Sequence, residues 1–167
     1  MYKFLLKKND FAIEFYFFFL DIITNTFTKI YNFLKSEDKL KIKVRYSETD
    51  QMSFVYHGNY VKYFEMGRIS WLRKLGFSYK EMEKQGILLP VIELKINFRN
   101  SAQFDDELVL ITKLVKKPSY TIEFDYKILK NDNVITLGYT KLIFIKSINS
   151  KPIRCPQPII ESINFLE

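Results

Sequence analysis

In the stretch RYSETDQMSFVYHGNYVKYFE, residues 45–65, a carboxylate stands seven residues ahead of the only histidine in the chain. The acid, Asp50, lies among turn-forming residues. Tyr56, His57 and Gly58 stand where a helical pattern begins. A carboxylate at such a place can act as a general base or as an oxygen nucleophile. The first backbone N–H groups of a helix have no intrahelical acceptor and carry the positive end of its dipole, so they can polarise a carbonyl and hold an oxyanion. Two plainer readings stand beside these: Asp50 as a turn carboxylate, and His57 as a structural histidine. A Ser–His–Asp relay does not fit, because Ser53 shares the loop with Asp50 and nothing resembles a nucleophile elbow.

The elements that must position these residues are legible on either side. KIKVRYS, residues 41–47, alternates polar and apolar residues and predicts a strand with Ile42, Val44 and Tyr46 on one face. After DQMS, Tyr60, Phe64, Gly67, Trp71 and Leu75 recur at three- and four-residue steps and predict a long amphipathic helix ending at Gly76. Gly67 inside that helix costs about 1 kcal/mol against Ala, which predicts close approach to a sheet. A second short helix is expected near 79–84. Four strand-like runs follow: ILLPVIELKINFRN, DELVLITKLVKK, YTIEFDYKILK and VITLGYTKLIFIK. The last two are joined by NDN, read as a three-residue hairpin loop. Thr121, Glu123, Asp125 and Lys127 alternate with apolar residues and predict a wet face. Leu108–Val115 is apolar on both faces and is expected to be central or covered. The order predicts an α+β fold, an antiparallel meander wrapped around one helix.

At 167 residues the chain is long enough for one well-cored domain. Its net charge of +7 is concentrated in residues 112–154, with nine basic groups against three acidic ones. That bias attracts anions, yet the strand aromatics form no RNP-like string, and nucleic acid is not expected as a partner. One cysteine, Cys155, and one histidine exclude an internal disulfide and a Cys/His zinc site, and they fit a reducing cytoplasm. No Walker A loop, Rossmann glycine pattern or HExxH occurs. FAIEFYFFFLDIITNTF near the N-terminus is apolar, but Glu14 and Asp21 interrupt it, and its unbroken run, Phe15–Leu20, is too short to cross a bilayer. Helical spacing of Phe11, Phe15, Phe18, Phe19 and Ile22 predicts an extra N-terminal helix, packed on the domain or on a membrane surface. The expected organisation is an extension over 1–38 reaching its linker at KSEDK, a domain over 39–150 and a tail over 151–167.

The string T-D-x-M-x-x-V-Y-H-x-N-Y, residues 49–60, followed by a long helix and a strand series, resembles the hotdog-fold acyl-CoA thioesterases of the 4-hydroxybenzoyl-CoA thioesterase type. PVIE at 90–93 and FDDEL at 104–108 are similar to later segments of that family. The family usually has Gly where this chain has Ser53 and a smaller aliphatic residue where it has Phe54, departures that bear on the acyl pocket more than on the reaction. The resemblance implies a hotdog fold, an antiparallel sheet wrapped around a long central helix, here with the extra N-terminal helical segment. It implies hydrolysis of acyl-CoA to free acid and CoA, with Asp50 either forming a mixed anhydride or activating water. Main-chain groups at Tyr56, His57 and Gly58 would polarise the thioester carbonyl, and Gly58 would let the acyl group approach. Ser53 and Asn59 are the implied substrate neighbours. Arg99 in FRNS and Lys116, Lys117 and Ser119 in KKPSY are the implied CoA contacts, although a lysine pair of this kind also reads as simply solvated. No metal or cofactor is implied. The implied partners are a second copy of the chain, as homodimer or homotetramer, and acyl carrier protein. A non-catalytic hotdog protein binding acyl-CoA or acyl carrier protein is the alternative; a dehydratase of the same fold would need a Gly/Pro-rich loop that is not found. Of the remaining acids, Glu48 is expected to be solvated at the strand end, Glu65 to pair with a neighbouring base, and Asp105 and Asp106 to serve a turn.

Overall fold

Alternating polar and apolar residues from Glu37 onward give the first strand of the computed structural model, which describes residues 16–24 and 37–164. Residues 16–24 form helix α1; the expectations for Phe11, Phe15 and the first part of KSEDK lie outside the described residues. Strand β1 (Glu37–Lys43) exposes Lys39, Lys41 and Lys43 and buries Ile42. It therefore begins inside the expected linker, and a cut after residue 38 would remove its first two residues. Val44 is buried, but Tyr46 is 77% exposed because the chain turns there into a 3-10 segment, Tyr46–Glu48.

Helix α2 (Asn59–Lys74) and α3 (Tyr79–Lys84) match the predicted spans. Gly76, at φ +88°, ends α2 in the left-handed region where glycine is unstrained. The expected close approach is present at Gly67: an added Cβ would strike Thr112 Oγ1 and Leu110. Pro90, with no N–H to donate, splits the next apolar run into β2 (Ile87–Leu88) and β3 (Val91–Phe98). Then come β4 (Glu107–Leu114), β5 (Thr121–Lys130), β6 (Asn133–Ile143), β7 (Ile145–Lys146) and α4 (Gln157–Asn164).

The main sheet is antiparallel in the order β1-β4-β5-β6-β3. The meander is thus only partly as expected: β3 does not pair with β4, its sequence neighbour, but crosses to the far edge and pairs with β6. Strand β4 is interior, as expected. The β5–β6 loop has two residues, not three, because Asn131 and Asp132 both take positive φ (47° and 65°) and Asn133 already pairs with Lys130. Such a pair makes a tight hairpin whose twist matches the strands. Glu123 departs from the expected wet face. It is 6% exposed, and ion pairs to Lys116 (3.1 Å) and Lys141 (3.5 Å) outweigh the burial that would raise its pKa, leaving it lowered. In the expected tail, Cys155 and, from α4, Ile159 and Ile163 enter the core.

Helix α2 lies on one face of the sheet and packs mainly on β1 and β4. Phe64 stacks on Tyr126 at 4.4 Å over Gly138, where a Cβ would strike its ring. The helix sits off-centre, so it leaves the corresponding face of β3 uncovered. Leu94 and Phe98 oppose the buried Thr140 and Thr136 yet are 41% and 50% exposed.

Candidate functional site

A bridge between Thr49 and Val55 closes a tight loop, and a second, between Phe54 and Gln103, ties it to the β3–β4 crossover. Inside the loop the Asp50 N–H donates to Phe54 O and the Ser53 N–H to Asp50 O, each at 2.9 Å. The Asp50 carboxylate accepts the Met52 N–H at 2.9 Å and, more weakly, the Phe54 N–H at 3.4 Å, both on Oδ1. Oδ2 accepts no hydrogen bond among the described residues, and the side chain is exposed. One oxygen therefore performs the turn role and the other faces outward.

Ser53 holds φ +62° in this turn. A side chain there strains the backbone by about 1–3 kcal/mol, which gives a physical reason for glycine at this place. Ser53→Gly is expected to stabilise the fold by about 1 kcal/mol, raising Tm by roughly 3 °C. Thermal unfolding followed by circular dichroism checks this; an unchanged or lower Tm would show that the turn is not strained.

Of the three main-chain groups at the helix start, one is already committed: the Tyr56 N–H donates to Glu48 O at 2.9 Å. Those of His57 and Gly58 have no acceptor among the described residues, while Asn59 and Tyr60 donate back to Tyr56 O and His57 O. Gly58 is the N-cap residue and offers no side-chain cap. The Tyr56 ring lies 4.1 Å from the His57 ring and leans over Gly58, where a Cβ would come within 2.8 Å of it. His57 is exposed, and its imidazole makes no hydrogen bond among the described residues.

Asn59 is 6% exposed, and its amide is spent on Glu48 O at 2.8 Å, which leaves it a framework residue on this geometry. Glu48 corrects the expectation of a solvated strand end: its carboxylate accepts the Arg45 N–H and the Tyr63 O–H, both at 2.8 Å. Burial and then that bond push the Tyr63 pKa well up. The signal that could have found it is the three-residue spacing, which lets the Glu48 carboxylate reach back to the Arg45 N–H, the one half of a capping box open to an arginine, whose side chain only donates. Glu65 is exposed and forms no ion pair among the described residues. Asp105 takes positive φ and pairs with Lys43 at 2.8 Å, and Asp106 accepts the Gln103 N–H and pairs with Lys130, both at 2.7 Å. The turn role expected of both matches this geometry.

The candidate CoA contacts separate. Arg99 is exposed at the end of β3 that carries Phe98, whose ring is 5.4 Å from that of Tyr60 in the first turn of α2. Lys116, Lys117 and Ser119 lie in the β4–β5 loop, at the end of β4 away from the Asp50 loop, and Lys116 is paired with Glu123. One chain does not bring them to Asp50. A groove of about 550 Å³ on the β1 flank of α2, lined by Ile42, Tyr46, Met66 and Phe104, contains none of Asp50, Tyr56, His57 and Gly58. Cys155 is no rival nucleophile, since burial pushes its thiol up to about 12. No three His, Cys, Asp or Glu side chains converge as metal ligands would among the described residues.

Residues 52–136 match the model of the thioesterase superfamily. YneP of Bacillus subtilis, a candidate acyl-CoA thioesterase, is 33% identical over 70% of this chain and 85% of its own length. The acyl-CoA thioesterase YbgC of Haemophilus influenzae is 27% identical over 75% of this chain and 93% of its own. Among solved structures, the DHNA-CoA thioesterase of Staphylococcus aureus superposes with a TM-score of 0.73 at 37% identity, covering 77% of this chain and 88% of that one. A 4-hydroxybenzoyl-CoA thioesterase superposes at 0.69 with 13% identity, covering 79% and 99%, a likeness of fold.

Proposed function

The chain belongs to the thioesterase superfamily, and from that membership we propose that it hydrolyses acyl-CoA thioesters, with Asp50 as the reacting carboxylate. The observation that carries this reading is that Asp50 Oδ2 accepts no hydrogen bond and the His57 and Gly58 N–H groups at the start of α2 have no acceptor among the described residues. The His57 and Gly58 N–H groups receive the thioester oxygen and stabilise the negative charge that grows on it during attack. Asp50 either takes a proton from water as that water attacks the carbonyl carbon, or attacks the carbon itself. In the second case the C–S bond breaks to give a mixed anhydride, which water then opens. Either way the sulfur leaves as thiolate and gains a proton, and the acyl group leaves as free acid. The Tyr56 ring, exposed and lying over Gly58, flanks this approach. A panel of short, long and aromatic acyl-CoA substrates, followed by free-thiol release, tests the reading. Hydrolysis of none of them above the spontaneous rate would favour the non-catalytic binding protein.

The site is proposed to be shared between two copies. The two sheet edges differ. Strand β1 carries exposed lysines, which discourage strand pairing, whereas β3 exposes Val91, Ile92, Leu94 and Phe98. The uncovered face of β3 begins beside the first turn of α2, where Tyr60 meets Phe98. A second copy added at β3 covers this face and encloses the space next to Asp50.

Helix α1 is proposed to meet a membrane surface. Tyr16, Phe17, Phe18, Leu20 and Ile23 are 64%, 61%, 62%, 37% and 42% exposed. No described helix is long and apolar enough to cross a membrane. Such a helix lies in the interface with its aromatics immersed. Phe17→Asp with Phe18→Asp is expected to lower co-sedimentation with phosphatidylglycerol-containing vesicles roughly tenfold or more. Turnover of a short-chain acyl-CoA is expected to stay unchanged. Vesicle binding that survives the double substitution sinks the idea.

A further inference from the structure

We infer that Glu48 is a positioning residue for the reaction, the joint that fixes Asp50 relative to the free N–H groups of α2; this rests on the thioesterase reading above. Four donors converge on this one residue. Its main-chain oxygen accepts the Tyr56 N–H at 2.9 Å and the Asn59 amide at 2.8 Å, and its carboxylate accepts the Arg45 N–H and the Tyr63 O–H at 2.8 Å each. The donors come from both sides of the loop. Arg45 belongs to the exit from β1, Tyr56 to the end of the loop, and Asn59 and Tyr63 to the first two turns of α2. Asn59 and Tyr63 are 6% and 1% exposed, so the helix side of the joint is set in the core.

The consequence for chemistry follows from chain length. Asp50 is two residues from Glu48, and a carboxylate so close to an anchor moves with it. Holding Tyr56 N–H on Glu48 O also turns that peptide inward, and His57 and Gly58 are left as the two open donors. Both halves of the proposed reaction, the carboxylate and the oxyanion site, thus share one reference point. Tyr63 is the only helix side chain that grips the Glu48 carboxylate among the described residues, so Tyr63 and Glu48 act as one unit. A displacement of about 1 Å between reacting groups costs up to about 10²-fold in rate. The CoA moiety, bound elsewhere, is little affected.

The test compares Glu48→Ala, Glu48→Gln, Tyr63→Phe and the Glu48→Ala/Tyr63→Phe double variant of the full chain, with Asp50→Asn alongside, on one acyl-CoA substrate. Glu48→Ala is expected to lower kcat roughly ten- to hundredfold with KM within about threefold. Glu48→Gln is expected to recover most of the loss, because one amide oxygen accepts both donors. Tyr63→Phe is expected to lower kcat in the same sense, and the double variant to be no worse than the poorer single one, as residues in one network behave. A kcat within twofold of wild type for both Glu48→Ala and Tyr63→Phe, while Asp50→Asn is inactive, overturns the role of Glu48 and leaves the thioesterase reading standing. Failure of Gln to rescue, or additive losses in the double variant, also overturns it. If Glu48→Ala does not fold, Tyr63→Phe and Glu48→Gln decide by the same criteria. An active Asp50→Asn would instead sink the thioesterase assignment of Asp50 itself.

Discussion

Asp50→Asn is expected to lower turnover of a good acyl-CoA substrate by about 10²–10⁴-fold, the contribution of a positioned base, and by more if the carboxylate attacks directly. The substitution is conservative for the fold. The oxygen that accepts the Met52 and Phe54 N–H groups has an amide counterpart, and Asn takes the same turn as readily as Asp. What is lost is the charge on the outward oxygen, which neither base nor nucleophile can do without. KM is expected to hold or fall, because the anionic CoA moiety is bound elsewhere and one negative charge is removed near the acyl group. Steady-state kinetics with a parallel melting curve read the result. A variant that melts like wild type and keeps more than about a tenth of its kcat would leave Asp50 as a turn carboxylate. In that event His57, exposed beneath the Tyr56 ring, becomes the group to test.

The second large effect is expected at the β3 edge. Leu94→Asp places a charge where an apolar side chain is 41% exposed on the uncovered sheet face. A monomer tolerates the change, since the position is open to water, whereas a second copy seated on β3 would have to bury the charge, at a cost of several kcal/mol. Light scattering is expected to show a shift from dimer, or a multiple of it, to monomer at micromolar concentration. Turnover is expected to fall about 10²-fold in parallel, because a half-open site no longer holds the thioester in line. Two outcomes count against the shared site: a monomeric variant with wild-type turnover, and a wild-type chain that is itself monomeric and active. A variant that stays dimeric would place the seam on another surface.

The elements that bear the proposed chemistry were written locally. Periodicity over 60–75 marked α2 to within a residue, because its apolar stripe and the glycine that ends it are properties of neighbouring residues. The T-D-x-M-x-x-V-Y-H-x-N-Y string carried the family, and short-range hydrogen bonds close the turn around Asp50, with the Phe54–Gln103 bridge tying it to the crossover. Even Gly67 announced a close approach before its partners, Thr112 and Leu110, were visible.

What the sequence left open were choices made between distant segments. Alternation reports which residues share a face of a strand, but not which strand lies alongside. Nothing in VIELKINF distinguishes a neighbour of β4 from a neighbour of β6, and the crossover that makes β3 an edge emerged only in the assembled sheet. The same holds for charge. Glu123 reads as solvated until Lys116 and Lys141 fold over it. Glu48 reads as a strand end until Tyr63, fifteen residues on, returns its hydroxyl across the helix. The resemblance implied Lys116, Lys117 and Arg99 alike as CoA contacts, yet the length of β4 separates the lysines from Asp50 while Arg99 stays at its end of the sheet. Helices, strand faces and tight turns depend on residues within a turn or two of one another, so the sequence determined them; adjacency across the sheet depends on the balance of all the burials at once, and only the tertiary structure decided it.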